Sequence, residues 1–349
     1  MWQTFRLSGY LSRLVLTNIL AALLVLVILG LSIDLIKTAS DLIQEGGIAA
    51  LGGYAALKAP IIATTIFPIG ILIGSTVAFL TLGARSELVV IRGAGRSMLS
   101  ILLMLLPTTL ILGGAYHLLS DRMTTWADTA LSETYPVTLD TPDMGAEIWS
   151  RTSTVEGDRI LRAELSNGTG TKIEAVEIWE LDGDGRVTEK RLADQATFDG
   201  KAWTLEGIEG TDGAPQPWPT ALTPETVRAL AAGRLPASAA EARAALAGST
   251  VQTRSEAYYV TRIFQSYAAI LVPAVMVTLA SLAGFGLNRG GGGLKTALIG
   301  IVLGLLYVTG HGVLGSLSEV GAVDPVWAAT LPTALFAVIG IWGLVLLEE

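Results

Sequence analysis

The densest run of chemistry-bearing side chains is Leu82-Gly83-Ala84-Arg85-Ser86-Glu87-Leu88-Val89-Val90-Ile91-Arg92-Gly93-Ala94-Gly95-Arg96-Ser97. Ser86 and Glu87 suit a helix start, with the carboxylate at the positive end of the dipole. Leu88, Ile91 and Arg92 follow at helical spacing, and Gly93 and Gly95 end the run. Such a turn is either a solvated connector or a short amphipathic helix that docks into a groove of a soluble partner. Gly290 to Thr296 imitates a phosphate loop, but Leu294 stands where glycine must precede Lys295-Thr296, and an apolar run precedes it in place of a strand. Asp182-x-Asp184 imitates a calcium loop, but Arg186 takes the next ligand position, so a hairpin turn is expected. With no cysteine and only His117 and His311, thiolate chemistry and a His-rich metal centre are excluded.

These residues must be positioned by a largely apolar chain. Of 349 residues, 51% are hydrophobic and 15% charged, well below the roughly 25% charged of soluble domains. Residues 121–262 hold 23 Asp and Glu against 14 Lys and Arg, whereas the rest of the chain is nearly neutral. No basic face for nucleic acid is present.

Six stretches free of Asp, Glu, Lys and Arg are long enough for the roughly 20 residues of a membrane helix. They are Leu14 to Ile33, Ala59 to Ala84, Ser97 to Ser120, Ile263 to Asn288, Thr296 to Ser318 and Pro325 to Leu347. The first run is longer than a signal peptide's apolar core and is read as a retained helix. Trp2, Phe5, Leu7 and Tyr10, mixed with Arg6 and Arg13, suit a short amphipathic lead-in at the interface. Arg6, Arg13, Arg85, Arg92, Arg96, Arg289 and Lys295 fall on one side and only Lys37 and Lys58 in the short loops opposite, so both termini are expected in the cytoplasm. The acidic middle is then external.

That middle reads as strands at Ile148-Trp149, Arg159 to Leu161, Ile173 to Leu181, Arg186 to Gln195, Thr197-Phe198 and Ala202 to Ile208. Asn167-Gly168, Asp182-Gly183-Asp184-Gly185 and Asp199-Gly200 supply the tight turns. An antiparallel meander, sandwich or roll is expected, with Trp149, Val176, Ile178, Trp203 and Leu205 as interior candidates. An interior open at one end would accept acyl chains. Ala214 to Pro224 is expected to be irregular, and Pro224 to Leu246 to form short helices.

Arg85-Ser86-Glu87-Leu88-Val89-Val90 followed by Ala94-Gly95 resembles the cytoplasmic loop of the lipopolysaccharide-export permeases of the LptF/LptG family. Phe67-Pro68-Ile69-Gly70, Leu331-Pro332 and the order of three helices, β region and three helices support the resemblance over nearly the whole chain. Arg-Ser-Glu-Leu-Val-Val and Tyr54-Ala55-x-Leu57-Lys58-x-Pro60 are more similar to the LptG branch. The resemblance implies an α-helical polytopic membrane protein with six transmembrane helices and an inserted all-β, jellyroll-like periplasmic domain. Its parts are 1–120 with helices one to three and a coupling helix at 85–95, then 121–262 as the periplasmic domain, then 263–349 with helices four to six.

It also implies a non-enzymatic permease subunit in a Gram-negative inner membrane, extracting lipopolysaccharide and passing it through the β domain. No cofactor is expected in this chain, because ATP and magnesium belong to a dimeric cytoplasmic LptB-like ATPase. The other implied partners are a paralogous LptF-like permease subunit and a single-span LptC-like periplasmic acceptor. Arg85, Ser86, Glu87, Leu88, Ile91 and Arg92 become the ATPase-coupling residues, with Glu87 as the charged contact. The first and fifth helices become lateral gates for lipid. Where relatives carry a phosphate-binding lysine on the first helix, this chain has Asp34, so Lys37, Lys58 and Arg122 are the candidates for lipid phosphates. Three other readings are a lipoprotein-release or efflux-type permease, which would use four helices; an intramembrane enzyme, which would need more ionisable groups within the spans; and a structural or sensing protein.

Overall fold

A computed structural model describes residues 2–135, 145–154, 157–182, 186–210, 214–220, 222–231, 238–247, 254–285 and 293–348. The first two apolar runs and everything between them form one helical hairpin, α1 (Trp2–Ala84), broken only at Gly47. Gly47 has φ 67° and ψ −162°, a conformation that side chains oppose, and there the chain reverses. The amphipathic lead-in is therefore not a separate segment but the first turns of α1. The two arms close tightly because a Cβ added at Gly74 would lie inside the Ile19 backbone, and one at Gly70 would lie against Leu23.

The turn α2 (Glu87–Gly93) leads to α3 (Met98–Thr134), capped by Ser97, whose hydroxyl accepts from the Ser100 N–H at 3.2 Å. The third helix does not stop at Ser120 but continues to Thr134. The membrane-length portions of the first three helical arms have 35, 39 and 34 residues. At 1.5 Å per residue each is about 50 Å long, so the helices reach well past a hydrocarbon core of about 30 Å.

After the sheet, α4 (Pro224–Ala231) and α5 (Ala239–Leu246) lead back to the bundle. The expected fourth span is not one rod: α6 (Glu256–Ala268) and α7 (Val272–Phe285) meet at 61°. Pro273 has no N–H for the helix ladder, and the bonds from Ile270, Leu271 and Val272 N–H tighten to the third residue back. Gly113 of α3 lies against the Ile270 carbonyl at this break, where a Cβ would collide. Then α8 (Gly293–Glu319) and α9 (Pro325–Glu348) complete, among the described residues, five membrane-length helices plus the bent pair. Leu11, Ile19, Phe79, Leu82, Met276, Leu279 and Tyr307 are among the residues of their common core.

The six strands β1 (Glu147–Thr154), β2 (Gly157–Leu165), β3 (Lys172–Leu181), β4 (Val187–Phe198), β5 (Trp203–Glu206) and β6 (Gln216–Trp218) form one antiparallel sheet in chain order, the meander among the expected arrangements. The segment expected to be irregular supplies β6, and Pro217 is tolerated there because β6 is an edge. The incomplete alternation of β3 has a cause in a bulge at Ala175, φ 50°, where the register shifts between Arg162 and Glu164. The extra residue brings Ile173, Val176 and Ile178 all to the buried face. At the expected turn, the Asp199 carboxylate accepts the Lys201 and Ala202 N–H groups, both at 2.8 Å, and Gly200 has φ 95°. The calcium-like hairpin closes through Arg186 N–H to the Asp182 carboxylate at 2.9 Å, while Asp184 and residues 286–292 of the phosphate-loop imitation lie outside the described residues. Gly293 to Thr296 open α8 directly.

Candidate functional site

The turn between the second and third spans is built inward from its apolar residues. Leu88 and Ile91 join the bundle core with Leu82, Met98 and Ile101, so they anchor α2 to its own chain. What α2 presents outward is Val89, Val90 and Arg92, and the two valines are half and nearly three-quarters exposed. Ser86 stands at the N-cap position in the left-handed region, φ 57°, and its side chain caps nothing, contrary to expectation. The helix instead ends as anticipated at glycine: Gly95, φ 80°, donates to Arg92 O at 2.9 Å, and Arg96 N–H reaches Ile91 O at 3.4 Å.

Glu87 is tied back to the first helix. Its carboxylate accepts the Tyr10 hydroxyl at 2.7 Å across 77 residues, with Arg85 at 3.9 Å as a looser ionic neighbour. Arg85 is well exposed at 65% of its side chain. Sequence spacing carried no signal for the Tyr10 link, because it depends on how the α1 arms pass α2.

Inside the sheet, Val176, Ile178, Trp203 and Leu205 come together as expected, with Trp218, Leu222 and Val227 of α4. Each of the four is at most 3% exposed, so α4 and the segment before it cover this interior. The Trp203 indole N–H donates to Leu222 O at 2.8 Å and pins that cover. Gly170, φ 69°, holds the edge of α4 close, since a Cβ there would meet the Pro224 carbonyl.

Trp149 is a correction: it stands on the outer face, 49% exposed, stacked parallel to Trp179 with centroids 5.9 Å apart. That face carries a charge ladder across four strands. Arg162 bridges Glu147 at 2.5 Å and Glu177 at 2.7 Å, and Lys190 reaches Glu177 at 2.9 Å. Hydrogen bonds from Arg162 and Trp149 hold the Glu147 carboxyl below its ordinary range, as those from Lys190 and Arg162 do for Glu177. The N–H groups of Ala202 and Lys201 do the same for Asp199.

The three phosphate candidates lie on two helices, Lys37 and Lys58 on α1 and Arg122 on α3. Lys37 and Arg122 are exposed, while Lys58 lies 6.0 Å from the Tyr54 ring, whose hydroxyl donates to Asp34 at 2.8 Å. Asp34 is thus a hydrogen-bond acceptor inside the hairpin, and the Tyr54 ring packs edge-to-face on Tyr135, whose hydroxyl donates to Ala50 O at 3.2 Å. His117 bonds the Ser266 carbonyl at 2.8 Å, joining α3 to α6, and the His311 ring lies near-parallel to Tyr307 at 5.8 Å.

Among the described residues, membrane-length apolar helices on both sides of an antiparallel sheet, with a short helix linking the second and third of them, are the architecture of a polytopic membrane protein. The family described as "Lipopolysaccharide export system permease LptF/LptG" matches residues 9–346, and the chain belongs to that family. The chain is similar to the Lipopolysaccharide export system permease protein LptG of Haemophilus influenzae, 26% identical over 80% of this chain and 81% of that protein. It is likewise similar to the LptG protein of Escherichia coli strain K12, 25% identical over 96% of this chain and 97% of that one.

Proposed function

We propose that this chain is the LptG-like half of an ATP-driven lipopolysaccharide exporter in a Gram-negative inner membrane, with its sheet in the periplasm. The observation that carries the reading is the construction of α2: Leu88 and Ile91 root it in the bundle core while Val89, Val90 and Arg92 face outward. A helix rooted this way transmits a push from a soluble partner to the spans as a rigid body. The partner is a dimeric ATPase that binds the nucleotide and magnesium; a paralogous permease subunit completes the lipid cavity, and a single-span acceptor receives the product.

Exposing acyl chains to water costs about 0.8 kcal/mol per CH₂, so extraction needs an apolar route throughout. The exposed apolar faces of α1 and α8 supply its first part, and the interior around Val176 and Trp203 its second. Because α4 covers that interior, passage of a chain requires α4 to move aside. Five membrane-length helices among the described residues, six with the bent pair taken as one span, support this reading over a four-helix lipoprotein-release permease.

Two measurements test it. The chain has no cysteine, so a single Lys201→Cys should be labelled by a membrane-impermeant thiol reagent added from the periplasmic side; labelling only from the cytoplasmic side ends the proposal. A photo-crosslinker at Val176 should capture lipopolysaccharide only when ATP is supplied to the assembled complex, and capture that ignores ATP would remove the sheet interior from the route.

A further inference from the structure

We infer that the outer face of the sheet carries a platform for a saccharide, the sugar part of a glycolipid, built from Trp149 and Trp179. The two indoles lie parallel within 3°, with ring centroids 5.9 Å apart. Their setting is at odds with a role in packing. Trp203 and Trp218 fill the interior and are 1% and 5% exposed, whereas Trp149, on the opposite face, keeps 49% of its surface open. The rings come from β1 and β3 and meet across β2, so only the pairing of the strands brings them together.

The surrounding charges hold the rings in place and still leave bonding capacity over. Arg162 lies 5.9 Å from the Trp149 ring and Lys190 5.3 Å from the Trp179 ring. Arg162 is itself fixed between Glu147 and Glu177. A carboxylate offers roughly four lone-pair sites. Glu147 gives one oxygen to Arg162 and the other, at 3.4 Å, to the Trp149 indole N–H, and its side chain is half exposed. The Lys190 ammonium spends one of its N–H donors on Glu177, and its side chain too is nearly half exposed. Acceptor and donor sites thus remain beside the rings for the hydroxyl groups of a ligand.

Sugars are the class of molecule that fits such a surface. The negative face of an indole attracts the weakly positive C–H groups of a pyranose ring, while the sugar's hydroxyls both donate and accept. A protein partner fits less well, because the core of a protein interface is depleted of charge and here charged side chains crowd both rings. The position suits a glycolipid. Strand β1 is the end strand of the described sheet, and its consecutive residues Ile148 and Trp149 face the covered interior and the platform. A molecule with its chains inside can therefore lay its saccharide round this edge. The inference rests on the proposed substrate and adds the part of it that an apolar route leaves in water.

For the test, the full chain in its native assembly is titrated with the core oligosaccharide of lipopolysaccharide, cut from its acyl chains by mild acid, and binding is read by saturation-transfer NMR. Wild type should transfer saturation to the sugar C–H protons. Trp149→Ala and Trp179→Ala should each weaken binding at least tenfold, and Trp149→Phe, which keeps a ring, should weaken it severalfold at unchanged detergent melting. Trp342→Ala, which removes an exposed tryptophan of the bundle, should change nothing. No transfer from wild type, undiminished binding in Trp149→Ala or an equal loss in Trp342→Ala overturns the inference. Tighter binding of a peptidoglycan disaccharide also overturns it, as does loss of a protein subunit from the Trp149→Ala assembly with oligosaccharide binding intact. The probe has no acyl chain and is used without ATP, so its failure leaves the Val176 crosslink standing, and a failed crosslink leaves this titration standing.

Discussion

The helical bundle and the sheet bury their cores by opposite means. In the bundle, helices approach through glycines and are stitched by hydroxyls: Gly74 against Ile19, Thr108 to Ser12 at 2.7 Å, Thr261 to Ser318 at 2.8 Å and Tyr307 to Thr333 at 3.2 Å. Its outer surface is apolar, with Leu24, Ile28, Ile36, Val302 and Trp342 exposed. In the sheet the inner face packs large side chains around Trp203, and the outer face carries a ladder of ion pairs from Glu147 to Lys190. The contrast follows from the surrounding solvent. Lipid gives no reward for burying one apolar side chain against another, so close contact and shared hydrogen bonds must hold helices together. Water gives that reward to the sheet interior and solvates the charges outside it.

The comparison breaks first at Gly74. Gly74→Leu drives a side chain into the Ile19 backbone, which has nowhere to go, and should abolish recovery of folded protein from membranes. Normal yield and a normal detergent melting curve would show that the arms do not rely on close approach. Next in size, Trp203→Ala removes the centre of the sheet interior at a cost of about 3–5 kcal/mol. Hydrogen exchange should rise across β3 to β6 and stay unchanged in α1 and α7; loss spread over both regions would mean they fold as one unit.

Acid should separate the regions more gently. Glu147, Glu177 and Asp199 have folded-state pKa values below their ordinary ones. Their stabilisation is present above the unfolded values near about 4 and is lost as pH falls through the lower folded values. Exchange protection of β1 to β5 should therefore fall as the pH drops below the ordinary carboxylate range, while that of the α1 hairpin holds; acid sensitivity in the hairpin alone would reverse the comparison.

Two substitutions on α2 sharpen the picture with smaller effects on the fold. Val90→Asp should leave expression and melting unchanged, since the side chain is exposed, but lower co-purification of the ATPase at least tenfold. Leu88→Asp should instead damage folding, because that residue is in the core. Equal ATPase recovery with Val90→Asp would remove the outward valines from the interface. The smallest effect belongs to Tyr10→Phe, which deletes the donor to Glu87; assembly should persist, with a severalfold loss in lipid-stimulated ATP turnover, and wild-type turnover would show the link to be idle.

Much of this was legible beforehand because it is local. An uncharged run long enough to cross a bilayer, an Asp199-Gly200 turn and a glycine-ended helix at 87–93 each rest on neighbours in sequence. The bend at Pro273 has no clear signal in the sequence, because proline is tolerated in membrane helices; in the structure Gly113 leaves room for the Ile270 carbonyl at the break. Strand β6 was missed because Pro217 argues against a strand except at an edge, and edges are assigned only once a sheet exists.

Sequence alone thus determined the spans, the acidic insert, the strand-and-turn pattern and the α2 segment, since each follows from short-range composition and spacing. The tertiary structure decided which side of each element is used. It turned Leu88 and Ile91 inward and Val89 and Val90 outward, and it placed Trp149 on the ionic face. It let the Ala175 bulge shift β3 by one residue, joined Tyr10 to Glu87, and stacked Trp149 on Trp179. Facing depends on which distant surface arrives to be covered, and no window of neighbouring residues contains that surface.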